Sequence, residues 1–228
     1  MTTDDGNHRS GRWVQDTFAI ASGGCQPYDR WVAPEPGQPG NVSEIVAQRV
    51  AGFARANFSV MDGSFGSSFK PFNSTTRPFD TWERRVLKQI ELAEEFGLKI
   101  IPELGEYQYQ RENQASLQRL ETWVSTHAAA AARIFQSPSF WGFEVRDEPP
   151  ATEFPSLRNL TAQVGKHFPG ALRFINLLPN AASAAVQMKA ANYTSYVDSF
   201  VDTLGDELDL ISFDHYPFVG TQAIYRCL

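Results

Sequence analysis

Short, continuous apolar runs alternate along the chain with longer stretches in which apolar residues recur every three or four positions. The first pattern reads as a buried strand and the second as an amphipathic helix. Strands are expected at 16–22 ("DTFAIAS"), 58–63 ("FSVMDG"), 98–104 ("LKIIPEL"), 139–149 ("SFWGFEVRDEP"), 172–179 ("LRFINLLP") and 208–218 ("LDLISFDHYPF"). Helices are expected between them at 44–54, 81–97, about 116–135, 154–168 and 194–205. The second helix carries Trp82, Val86, Ile90, Leu92, Ala93 and Phe96 on one face, and Gly97 closes it.

A strand–helix alternation of this kind implies parallel pairing through right-handed crossovers. Two architectures satisfy it, an open doubly wound sheet and a (β/α)8 barrel. A dinucleotide-binding open sheet needs a glycine-rich turn after its first strand. The residues there, "SGGCQPYD", do not match G-x-G-x-x-G, and no phosphate-binding loop occurs elsewhere. A barrel builds its site from the carboxyl ends of several strands. Asp62, Glu103, Asp147, Glu148, Asp214, His215 and Tyr216 all fall at such ends. The expected fold class is therefore α/β, a TIM (β/α)8-type barrel that is incomplete. Residues 1–13 read as a polar tail and 14–228 as a barrel domain of about six βα units. A whole barrel takes about 250 residues, so the chain reads as its amino-terminal three-quarters. Open first and sixth strands leave unpaired edges that favour self-association.

Composition narrows the function. The net charge is −6 and no basic stripe is present, which argues against nucleic acid as a partner. No apolar run approaches the roughly 20 residues of a membrane-spanning helix. The amino terminus, "MTTDDGNHRSGRW", is polar and lacks the features of a signal peptide. Cys25 and Cys227 lie near opposite ends and read as free thiols. Asn41, Asn57, Asn73, Asn159 and Asn192, five of the nine asparagines, stand in N-x-[ST] sequons, a weak pointer to a secreted glycoprotein.

The densest chemistry is "FEVRDEPP" at 143–150, where charges run straight off an aromatic strand into two prolines. Alternation along a strand gives Glu144, Arg146 and Glu148 one parity. A residue before proline is expected to be extended, so Pro149 would aim Glu148 out of the strand. In the sixth strand Ser212, Asp214 and Tyr216 share a face. Trp141 is expected in the core.

"WGFEVRDEPP" resembles the fourth strand of the clan A glycoside hydrolases, where the pattern runs strand, then Asn-Glu-Pro. "LDLISFDHYPF" resembles the sixth strand of that clan, and "AEEFGLKIIPEL" its step into the third. The resemblance implies a retaining hydrolase of O-glycosidic bonds acting on a carbohydrate without a cofactor. Glu148 would be the general acid/base. Asp147 would stand where the clan has an Asn that binds the sugar 2-hydroxyl, Tyr216 and Asp214 would lie in the sugar site, and Glu103 at its rim. Asp147 is a departure: an ionised carboxylate cannot donate a hydrogen bond, but beside Glu148 it raises the proton affinity of that acid. The clan's nucleophile is a Glu on the seventh strand, which the six units here do not reach, so the chain by itself is expected to be weak or inactive. Two other readings stay open: a non-catalytic carbohydrate-binding or degenerate barrel, and a metal-dependent isomerase or lyase using Glu103, Glu148, Asp214 and His215.

Overall fold

The computed structural model describes residues 13, 15, 18–22, 42–63, 82–104 and 113–215. Six strands appear in chain order: β1 (Ala21–Ser22), β2 (Val60–Gly63), β3 (Lys99–Pro102), β4 (Gly142–Asp147), β5 (Leu172–Leu177) and β6 (Ser212–Phe213). The helices are α1 (Val42–Arg55), α2 (Trp82–Phe96), α3 (Asn113–Thr126), α4 (Ala128–Gln136), α5 (Phe154–His167) and α6 (Tyr193–Leu204). All ladder pairs are parallel, β1 to β2 to β3 and β4 to β5 to β6. Parallel bridges Ile100–Phe140 and Glu103–Glu144 link β3 to β4, with Leu104 N donating to Glu144 O at 3.0 Å.

The spatial order is therefore the chain order. A doubly wound sheet reverses its order at a switch point, whereas a barrel adds each strand beside the last. The fold is α/β, of TIM (β/α)8-barrel type, and among the described residues there are six strands and no pairing that closes the barrel.

The core divides as a barrel requires. The larger cluster joins Val50, Val86, Ile90, Leu120, Ile134, Leu157, Val164 and Phe200 of the helices to Met61, Ile100, Phe143, Val145, Ile175 and Leu177 of the strands. The smaller cluster, Val60, Ile101, Trp141, Leu172 and Phe174, contains no helical residue. It marks the inner face of the sheet, opposite in parity to the first cluster on β2, β3 and β5. Trp141 is buried there and meets Trp13 edge-on, with centroids 5.5 Å apart.

Three sequence expectations need correction. The helix expected over 116–135 is two helices, broken at His127, whose φ of −119° and ψ of 40° are not helical. Just before the break, Ser125 Oγ and Thr126 Oγ1 both donate to Thr122 O, at 2.9 and 2.7 Å, and such side-chain bonds bend helices. Among the described residues the first and sixth strands pair over two residues each, Ala21–Ser22 and Ser212–Phe213, and 16, 17 and 216–218 of the expected runs lie outside the described residues. His215, flanked by Phe213 and by Pro217 two residues on, reads from the sequence more simply as a packed histidine than as a site residue, but it is exposed, and Phe213 is 57 % exposed.

Gly142 sits where β4 enters the sheet, in register with Leu172. A Cβ there would run into the backbone of Leu172, which cannot move without opening the ladder. Gly142→Ala is expected to lower stability by about 1–3 kcal/mol, read as a shift in the urea midpoint at unchanged slope.

Candidate active site

The site is built where β4, β5 and β6 end. Between Glu144 and Arg146 the register advances two residues on β4 for one on β5, since Glu144 faces Phe174 and Arg146 faces Ile175. Val145 is the extra residue of a β-bulge. The bulge overturns the parity read from the sequence. Glu144 lies in register with the inner-face Phe174, but Arg146 lies in register with Ile175 of the outer core. Arg146 instead pairs with Glu153 at the start of α5, Nε to Oε2 at 3.2 Å. Asp147 recovers the inner face, in register with Asn176.

Asn176 is in turn in register with Ser212, so Asp147, Asn176 and Ser212 form one row across three strands. The Nδ2 of Asn176 donates to Asp147 Oδ1 at 3.1 Å and to Asp214 Oδ1 at 2.9 Å. Ser212 Oγ donates to Asn176 Oδ1 at 2.8 Å. Asp214 is fixed by its own backbone, whose N–H donates to Leu177 O at 3.1 Å.

Glu148 follows with a φ of +45°. The extended conformation expected before Pro149 is absent. Positive φ costs an L-residue roughly 1–3 kcal/mol and persists only where neighbours hold it. Here both sides are held. Glu148 N donates to Asn176 O at 2.8 Å, and Pro149 O accepts from the buried Tyr196 Oη at 2.7 Å. Leu178 N donates to the same Tyr196 Oη at 3.4 Å. The turn directs the Glu148 carboxyl toward Asp214, with which it shares a hydrogen bond.

The electrostatics follow. Loss of water around Glu148 disfavours its charge, and the hydrogen bond with Asp214 and the charges of Asp147 and Asp214 add to this. Together they lift the Glu148 carboxyl from the ordinary 4.5 to about 7. Burial also raises Asp147, against the opposing hydrogen bond from Asn176, with the Asp214 charge raising it further and Arg146 lowering it. Burial pushes the Tyr196 hydroxyl up to about 12, so it remains a donor. Glu148, Asp147, Asp214 and Asn176 are each only half-buried, which leaves the cluster open to a solute.

Of the residues singled out in the sequence, Glu148, Asp147 and Asp214 come together. Glu103 does not lie at a rim: it is 3 % exposed, bridged to the equally buried Glu144. Glu144 is three residues before Asp147, roughly 10 Å down the strand. Tyr216 lies outside the described residues. Among the described residues no group of three His, Cys, Asp or Glu side chains is arranged to hold a metal ion. Asn176 and Ser212 were missed as site residues, although Asn176 is a lone polar residue near the end of "LRFINLLP", the signal that marked Glu148 in its own strand.

No family model matches the sequence, and no curated protein does. Two solved structures are similar in backbone. One is a beta-1,4-mannanase from the common sea hare Aplysia kurodai, with a TM-score of 0.49, 12 % identity, and coverage of 89 % of this chain and 73 % of that one. The other is a glycoside hydrolase family 5 mannosidase from Rhizomucor miehei in complex with mannosyl-fructose, with a TM-score of 0.43, 11 % identity, and coverage of 80 % and 54 %. The chain thus spans about three-quarters of the first and about half of the second. Both likenesses are distant, and the fold rests on the strand order above.

Two stability predictions follow from this geometry. Glu148 has a folded pKa above its unfolded one, so its contribution is present below pH 4.5 and is lost as pH rises through about 7. Glu148→Gln is expected to flatten that decline, raising the melting temperature more at pH 8 than at pH 4. Tyr196→Phe removes the donor to Pro149 O and is expected to cost about 1–2 kcal/mol, measured by denaturant unfolding.

Proposed function

We propose that this chain carries the general-acid half of a retaining glycoside hydrolase site, with Glu148 as the acid. The single observation that supports this most is the Glu148 carboxyl itself. It stands at the carboxyl end of β4, half-buried, with its pKa raised to about 7 by desolvation and by Asp214 and Asp147. A general acid works best when its pKa lies near the working pH, and the carboxyl ends of strands are where barrels place their chemistry. In the proposed reaction Glu148 gives its proton to the glycosidic oxygen as the bond to the anomeric carbon breaks. A nucleophilic carboxylate takes that carbon, and Glu148, now ionised, deprotonates the water that releases the sugar.

Asp214 does not suit the role of that nucleophile. Retaining enzymes hold their two carboxyl groups about 5–5.5 Å apart, whereas Asp214 shares a hydrogen bond with Glu148. It serves as the acceptor that keeps the proton on the acid. Asp147 and Asp214 lie where sugar hydroxyl groups would meet them. Tyr216 completes the residues proposed for the sugar site, and Glu103 lies buried away from it. The nucleophile belongs to the whole protein's seventh strand in this reading, so full activity is a property of the complete barrel. A sugar-binding barrel without catalysis is the second reading, favoured by that same contact of Asp214 with Glu148 in place of an opposed pair.

The test is hydrolysis of aryl glucosides, galactosides and mannosides of both anomeric configurations. Turnover by this chain is expected to be weak without that nucleophile, present below pH 7 and lost as pH rises through about 7. Glu148→Gln should abolish cleavage of substrates with poor leaving groups and spare kcat/KM for those with activated ones, whose cleavage needs no proton, while slowing release of the sugar, which needs the base. Equal loss on both classes, or a pH profile unmoved by the substitution, would remove Glu148 from the role. Sugar binding that survives Glu148→Gln with no turnover in either protein would select the second reading.

A further inference from the structure

Three carboxyl groups, Asp147, Glu148 and Asp214, meet at the ends of β4 and β6, and one asparagine stands among them. We infer that Asn176 is a positioning residue that assigns the cluster's proton to Glu148 by holding both aspartates as hydrogen-bond acceptors.

The geometry leaves little choice of orientation. The amide of Asn176 has two N–H donors on Nδ2 and an acceptor on Oδ1. Nδ2 reaches Asp147 Oδ1 at 3.1 Å and Asp214 Oδ1 at 2.9 Å. The flipped amide would place its oxygen against two carboxylates and its NH2 against Ser212, losing both charge-assisted bonds. The hydroxyl of Ser212 completes the set by donating to Oδ1 at 2.8 Å. Both N–H groups are thereby committed, one to each aspartate. A carboxylate that accepts an N–H bond is favoured in its ionised form. Two carboxyl groups in hydrogen-bond contact need one proton between them. With Asp214 held as acceptor, that proton resides on Glu148, which donates to Asp214. The same amide's backbone oxygen accepts from Glu148 N at 2.8 Å, so one residue fixes both the place of the acid and its state.

Other charged groups face the cluster. Arg146 on β4 favours an ionised Asp147 and is itself paired with Glu153 before α5. Tyr196 on α6 lies close to Glu148 and stays protonated. His215 follows Asp214 and is exposed. Glu103 and Glu144 are buried lower on the inner face. None of these donates to both aspartates. The catalytic consequence of the assignment rests on the glycoside-hydrolase reading; the assignment of the proton does not.

Carboxyl carbon NMR titration of the full chain, labelled at Asp and Glu side chains, tests this directly. Glu148→Gln, Asp147→Asn and Asp214→Asn identify the three signals. In the unaltered protein Glu148 is expected to titrate near pH 7. In Asn176→Leu, which keeps the size and removes both donors, the Glu148 signal should lose about half of its amplitude in that interval, as coupled groups share a proton. Ser212→Ala, which removes only the hydroxyl that orients the amide, should shift the pattern the same way and less, and it serves as the test if Asn176→Leu does not fold. Curves for all three carboxyl groups that stay unchanged in a folded variant would overturn the inference. Because the titration involves no sugar, glycosides that are neither bound nor turned over, with a moving proton, would sink the glycoside-hydrolase reading alone. Turnover with an unmoved proton would sink this inference alone.

Discussion

The pairing of β4 with β5, interrupted by one extra residue, is the constraint on which the site depends. A regular strand would turn Arg146 and Glu148 to one face and Asp147 to the other. The bulge at Val145 places both Val145 and Arg146 toward the helices, where one fills the outer core and the other pairs with Glu153. Asp147 then reaches the inner face beside Asn176, and the chain leaves the strand through a positive φ at Glu148. Bulges are known to re-aim side chains next to active sites. Here the bulge also separates the guanidinium from the acid. A cation beside Glu148 would lower its proton affinity and work against a general acid.

The strained turn and the electrostatics are one device. Holding Glu148 at positive φ opposes the stability of the fold, and bonds from two different layers hold it there. The inner contribution is Asn176, through its backbone oxygen. The outer one is Tyr196, fully buried, its ring centroid 5.2 Å from that of Phe154, which in turn packs on Phe200 at 5.4 Å. The aromatic packing of α5 and α6 against the sheet thus reaches the carboxyl through a single hydroxyl and one carbonyl. That links the ordinary hydrophobic core, which gives most of the folding energy, to the direction of one acidic side chain.

The order of strands in space matters as much as their number. Six parallel strands placed in chain order put Asp147, Asn176, Ser212 and Asp214 on three adjacent strand ends. Neighbouring strands lie about 4.8 Å apart, a separation that one asparagine amide can bridge on both sides. In an open sheet with a reversed order, the same residues would not lie in one row.

The sequence by itself determined the alternation of strands and helices, the parallel class and the cluster at 147–148. Each of these is local: a period of two or three and a half, a turn residue, a charge at a strand end. It also pointed to Asp214, because "ISFDHYP" repeats the logic of an apolar strand ending in acid. Tertiary structure decided what is not local. The bulge at Val145 exists only because β5 offers one residue where β4 offers two, and a period count along β4 cannot detect it. The break at His127 fell inside a helical pattern that showed no proline or glycine. Asn176 could have been marked as a polar residue near the end of its strand. That its amide touches two aspartates 29 and 38 residues away was fixed only by the register across β4, β5 and β6. The residue types came from the sequence, and the proton's place among them came from which strands lie side by side.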